Sequence, residues 1–151
     1  MEERAEVSRE TVDTGFDRDG VLLFWLPLVA YMALIFYLSS RPDLPNVLPG
    51  LTFGDKIIHL AAYVLLALLW GRAITRRWTA IDDKKVFVIA VLCTGLYGIS
   101  DEIHQSFVPG RTADALDVIA DIAGAMVGAR LYIRYKRGVR ATSAGGIKEL
   151  D

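Results

Sequence analysis

Three short stretches hold most of the side chains in this chain that could do acid–base, metal or ionic chemistry. They are Asp55-Lys56-x-x-His59-x-x-x-Tyr63, Asp101-Glu102-x-His104-Gln105 followed by Arg111, and Asp114-x-x-Asp117-x-x-x-Asp121. An acid pair beside a histidine is suited to proton transfer, which makes Glu102 and His104 the candidate catalytic groups. Imidazole and carboxylate are also ligands for a divalent cation, and His59, His104, Asp101 and Asp117 are the candidate metal set, although none lies in a zinc motif such as HExxH. A third use is recognition. Asp55, Lys56, His59, Asp101, Glu102, His104, Gln105, Arg111, Asp114, Asp117 and Asp121 would then line a ligand site. Ser39, Ser40 and Ser106 show no base-plus-orienter spacing that would make a serine nucleophile.

The elements that must position these groups are apolar. Of 151 residues 53% are hydrophobic, the mean hydropathy is +0.35 and the net charge is -1. That balance excludes a basic nucleic-acid-binding domain and favours a small integral membrane protein. Cys93 is the sole cysteine, so neither an intramolecular disulfide nor a cysteine-zinc framework can form. Residues 21–40 are uncharged and long enough to cross a bilayer core of ~30 Å, with Pro27 as an expected kink. Further helices are expected over about 57–74, 86–105 and 113–132. The long acidic arm before the first of them reads as an anchor's flank rather than a leader. The domain reading is a polar cytoplasmic arm over 1–20, a transmembrane domain over 21–135 and a basic, flexible cytoplasmic tail over 136–151.

Lysine and arginine set the orientation. Arg4, Arg9 and Arg18 precede the first helix; Arg72, Arg76, Arg77, Lys84 and Lys85 lie around the second connection; Arg130, Arg134, Lys136, Arg137, Arg140 and Lys148 close the chain. The first and third connections hold only Arg41, Lys56 and Arg111. Both termini are therefore expected inside, and the expected architecture is an all-α integral membrane four-helix bundle. Its helices three and four form a tight outward-facing hairpin with Pro109-Gly110 at the tip. All three polar stretches then fall at the outer end.

Helical spacing puts each stretch on one face. Asp55, His59 and Tyr63 repeat at four residues; Asp114, Asp117, Asp121, Gly124 and Gly128 step by three and four. Asp117 and Asp121 come roughly 6 Å and 12 Å into the fourth span, where exposing a charge to lipid costs about 2.5–3.5 kcal/mol. Facing protein removes that cost. Gly124 and Gly128 extend the stripe and allow close helix approach, either within the chain or in a homodimer. Six acids against Lys56, Arg111 and Arg41 predict protonated carboxylates, a bound cation, or a ligand with cationic groups. Plainer roles compete. Asp55 follows Gly54 as a helix cap would, Arg111 could pair with one of the acids, and the whole set could merely fix helix packing.

The three spaced motifs, with Phe107 between His104 and Arg111 and with Gly124 and Gly128 after Asp121, resemble the signature of the VanZ-like family over roughly 36–132. These are small bacterial membrane proteins named for a member associated with teicoplanin resistance; that family usually has Asn at the position of Asp121. The resemblance implies a multi-pass protein of the cell membrane with a cell-envelope role at the outer face. The expected ligand is a glycopeptide, a peptidoglycan precursor or a lipid-linked head group. The alternative is an intramembrane enzyme, acid–base or metal-assisted, acting on a lipid-linked substrate.

Overall fold

A backbone that crosses hydrocarbon must satisfy its own N–H and C=O groups, and long apolar runs do so as helices. The structure, a computed structural model, describes residues 18–42 and 53–145. It consists there of α1 (Arg18–Ser39), α2 (Gly54–Arg77), α3 (Asp83–Gln105) and α4 (Ala115–Gly145). The arm with Arg4 and Arg9 and the terminal stretch with Lys148 lie outside the described residues.

Three helices are long and apolar enough to cross a membrane: Leu22–Ser39, Gly54–Arg77 and Asp83–Gln105. α1 continues through Pro27. α4 carries more charge but accompanies α2, because His59 meets Asp121 near one end and Thr75 meets the Tyr132 hydroxyl near the other. The 16 residue steps from His59 to Thr75 amount to roughly 24 Å of axis. The matching order of contacts makes α2 and α4 parallel. α3 runs antiparallel to α4, with Glu102 beside Asp114 at one end and Asp83 beside Lys136 at the other. α4 does not stop near Tyr132 as expected. It runs on to Gly145, through the first ten residues of the stretch read as tail.

The distribution of polarity is inverted relative to a water-soluble bundle. Leu22, Leu23, Leu26, Val29, Leu92, Leu96 and Ile119 are exposed, whereas Asp101, Glu102, Gln105, Asp117 and Asp121 are buried. An apolar shell around polar contacts suits a lipid solvent. α2 packs most extensively on α4, and α1 touches α2 and α3 but not α4 among the described residues. One apolar cluster joins Leu28 and Ile35 of α1 to Tyr63, Leu66 and Ala73 of α2, and another joins Ile74, Val86, Ala90 and Ala129.

The α2–α4 seam is set by glycine. A Cβ on Gly124 would collide with the Leu60 carbonyl, and one on Gly128 with the Val64 carbonyl. Backbone cannot yield as a flexible side chain can, so the small stripe serves as an intramolecular groove for α2. The face that could have paired two copies is already covered. Gly128→Leu is expected to lower the midpoint of thermal unfolding in detergent by at least ~6 °C, or to abolish folded protein. Gly138, with nothing within 4 Å of its would-be Cβ, should accept Ala without loss.

Candidate functional site

The polar stretches converge where α2 begins, α3 ends and α4 begins. Asp114 is the helix N-cap of α4: its Oδ1 accepts from Leu116 N at 2.9 Å, and its own N–H donates to Glu102 Oε1 at 2.5 Å. Asp55 is not a cap. Phe53 occupies that position without a side-chain bond, and Asp55 lies in the first turn of α2, where negative charge suits the helix dipole.

Lys56 is the central cation. Its Nζ donates to Asp55 Oδ2 at 2.7 Å and Asp114 Oδ2 at 2.6 Å, and lies 3.0 Å from Asp117 Oδ1. The last contact is an ion pair without hydrogen-bond alignment, so that buried oxygen has no directed donor. The ammonium beside Asp114 holds its carboxyl below the ordinary carboxylate range, helped by Leu116 N–H.

Deeper in, Asp121 is fully buried and its Oδ1 lies 3.1 Å from His59 Nδ1. Its room comes from Gly98 of α3, whose added Cβ would stand 2.8 Å from Asp121 Oδ2 and 3.0 Å from the Tyr63 ring. Glu102 Oε2, Asp117 Oδ1, Asp121 Oδ2 and the Tyr63 hydroxyl are buried without hydrogen-bond partners among the described residues. Three of these four are carboxylate oxygens, so acceptors outnumber donors in the cluster.

A second network links the hairpin to α1. Arg111 Nη2 donates to Gln105 Oε1 at 2.6 Å, and Gln105 Nε2 donates to Asp101 Oδ2 at 3.0 Å. Ser39 Oγ donates to Asp101 Oδ1. Arg111 is therefore not the partner of an acid, as its charge suggested; Gln105 stands between them. No carboxylate lies within ion-pair distance of Arg111 among the described residues. Arg41 is drawn to its own helix, 5.4 Å from the Tyr37 ring centroid.

His104 does not join this network. Its Nε2 lies 2.9 Å from Ser40 Oγ, and its ring stacks on Phe36 at 4.4 Å, so it docks α1 on α3. Ser40 Oγ also donates to the Phe36 carbonyl at 2.7 Å, a bond across the last turn of α1. With His59 directed to Asp121 and His104 to Ser40, the candidate metal set of His59, His104, Asp101 and Asp117 is not gathered. No group of three or more His, Cys, Asp or Glu suited to hold a metal ion occurs among the described residues.

A cavity of about 120 Å³ lies among α1, α2, α3 and the hairpin. Ser39, His59, Tyr63, Asp101, Gln105 and Arg111 line it on the polar side, Ile35, Leu38, Ile58 and Ala62 on the apolar side. Asp121 reaches it only through His59. The contribution of α1 was absent from the sequence reading, because serines at the end of an apolar run carry no periodic signal.

Fold and site together define a multi-pass helical membrane protein with a charged network buried near one end of its bundle. The VanZ/LLP1 family model matches residues 22–136, and the chain belongs to that family. It is also similar to an uncharacterized protein of Schizosaccharomyces pombe (strain 972), 28% identical over 123 residues, which cover 80% of this chain and 67% of the yeast protein. No solved structure matches.

Removing Lys56 should expose the acid surplus. Lys56→Met is expected to destabilise the fold by roughly 1–2 kcal/mol in detergent unfolding, chiefly through the buried Asp117, and adding Asp117→Asn should restore most of that loss. Asp114 adds a pH signature. Its folded pKa lies below that of an unperturbed aspartate, so its stabilisation is present above the unperturbed value and is lost as the pH falls through the lower folded one. Asp114→Asn should erase this component of the acid unfolding curve.

Proposed function

We propose that the protein recognises a lipid-linked head group of the cell envelope at the outer face of the plasma membrane. The observation that carries this reading is Arg111, a guanidinium with five N–H donors and no carboxylate partner among the described residues, on a cavity also lined by apolar side chains. A phosphate satisfies that fork geometry. Hydroxyl or amino groups on the same head group satisfy the acceptor-rich side at Asp101 and, through His59, Asp121. The hydrocarbon part lies along Ile35, Leu38, Ile58 and Ala62, between α1 and α2.

Size favours the smaller ligand classes, since a cavity of about 120 Å³ suits a compact polar group better than a large antibiotic. A glycopeptide antibiotic could only rest across the mouth. A role in glycopeptide resistance would then be indirect, through the lipid-linked precursors of the envelope.

One observation favours the enzymatic alternative on residues other than Glu102 and His104. Asp121 takes Nδ1 of His59, leaving Nε2 without a hydrogen bond among the described residues. That is how a general base is oriented. Glu102, by contrast, commits one oxygen to the Asp114 N–H, and His104 lies outside the cavity lining.

Purified protein offered polyprenyl phosphate with and without an attached amino sugar tests the reading by native mass spectrometry. Wild type is expected to retain both and to prefer the amino sugar form. Arg111→Gln should lose roughly tenfold or more for both, and Asp101→Asn should lose the preference alone. Equal retention by Arg111→Gln, or binding of teicoplanin without any of the lipids, would contradict it. Turnover of the sugar-linked form, absent in His59→Ala, would establish the enzymatic alternative.

A further inference from the structure

A second cavity lies at the opposite end of the bundle, between the start of α3 and the extension of α4. It measures about 320 Å³ and is lined by Asp83, Lys84, Phe87, Arg130, Ile133, Arg134 and Arg137. Four of these seven are cations. The single acid is already committed, since Asp83 Oδ2 accepts from Arg137 Nε at 2.7 Å and Asp83 Oδ1 pairs with Lys136 Nζ at 2.6 Å. Lys84 and Arg134 have no ion-pair partner among the described residues, and Arg130 lies 5.9 Å from the Phe87 ring centroid. The Asp83 pairs tie α4 to α3 and so hold the arginines in place.

We propose that this cavity binds the phosphate of an anionic phospholipid in the inner leaflet. The inward orientation follows from the lysine and arginine distribution. Basic pockets between spans on the cytoplasmic side suit such head groups, the arginine fork matching phosphate oxygens. Several features favour a lipid over a free anion. Phe87 and Ile133 give the cavity an apolar part, and exposed Val127 and Leu131 continue the α4 surface toward the hydrocarbon. Trp78, exposed and with Arg77 5.5 Å over its ring, lies one residue beyond the end of α2, where an aromatic anchor marks the interface. The site depends on the continuation of α4 past Tyr132, because Ile133, Arg134 and Arg137 all belong to it.

The experiment uses full-length protein in nanodiscs of phosphatidylcholine with and without phosphatidylglycerol, reading retained lipid by native mass spectrometry after extraction. Wild type is expected to retain phosphatidylglycerol selectively. The double variant Arg130→Gln with Arg134→Gln should lose roughly tenfold or more of that retention, while Arg140→Gln, which does not line the cavity, should lose none. Lys84→Gln, outside the Asp83 pairs, gives an independent reading should the double variant fail to fold, with a loss again expected. Millimolar inorganic phosphate should not displace the lipid; displacement would assign the same cations to a free phosphate and overturn the lipid reading. Equal retention of the two lipids by wild type would overturn the proposal, as would unchanged retention in the cavity variants or an equal loss in Arg140→Gln.

Discussion

Asp121 is a carboxylate with no exposure, placed where α2, α3 and α4 meet, and the arrangement around it follows from making that position tolerable. A buried charge needs a partner and a fixed geometry. His59 supplies the partner from α2, one turn beyond Lys56, and Gly98 supplies the space from α3. The close α2–α4 seam at Gly124 and Gly128 brings the histidine within reach. Were those helices held apart by side chains, the His59–Asp121 contact and the pairs of Lys56 with Asp114 and Asp117 would open together.

The two polar networks have different characters. The one around Lys56, Asp117, Glu102 and Asp121 has too many acceptors and joins the helices into one unit. The other, from Arg111 through Gln105 to Asp101 and Ser39, is a chain of directed bonds that ends on α1. α1 is the least committed helix, with no contact to α4 among the described residues, and its C-terminal end is fastened largely by Ser39, Ser40 and Phe36. In the proposed reading a lipid would bring its head group to Arg111 past Ile35, Leu38, Ile58 and Ala62, which line the cavity.

Much of this was legible in the chain before any coordinates. The apolar runs and turn residues located four helices, and the three- and four-residue spacing placed the acids and glycines of α4 on one face toward protein. The partners were less legible, because periodicity reports which side of a helix a residue occupies but not which neighbour it meets. Thus Lys56 rather than Arg111 serves the acids, Gln105 intervenes between Arg111 and Asp101, and His104 turns to α1 while His59 turns to α4. Gly98 gave no signal, since a lone glycine in an apolar helix shows its purpose only when the side chain that fills its space is known. The length of α4 was hidden for another reason. Beyond Tyr132 the helix is sustained by polar residues and by the pairing of Lys136 and Arg137 with Asp83, not by an apolar stripe.

The central claim is that a lipid head group, with its chain between α1 and α2, completes the polar cavity at Arg111. An electron cryomicroscopy or crystal structure of the protein in native lipid tests it most directly. The expected result is head-group density within hydrogen-bond reach of Arg111 and Asp101, continuous with hydrocarbon density along Ile35, Leu38, Ile58 and Ala62. A cavity holding ordered water alone, with α1 closed against α2 and lipid head groups excluded from Arg111, would contradict it.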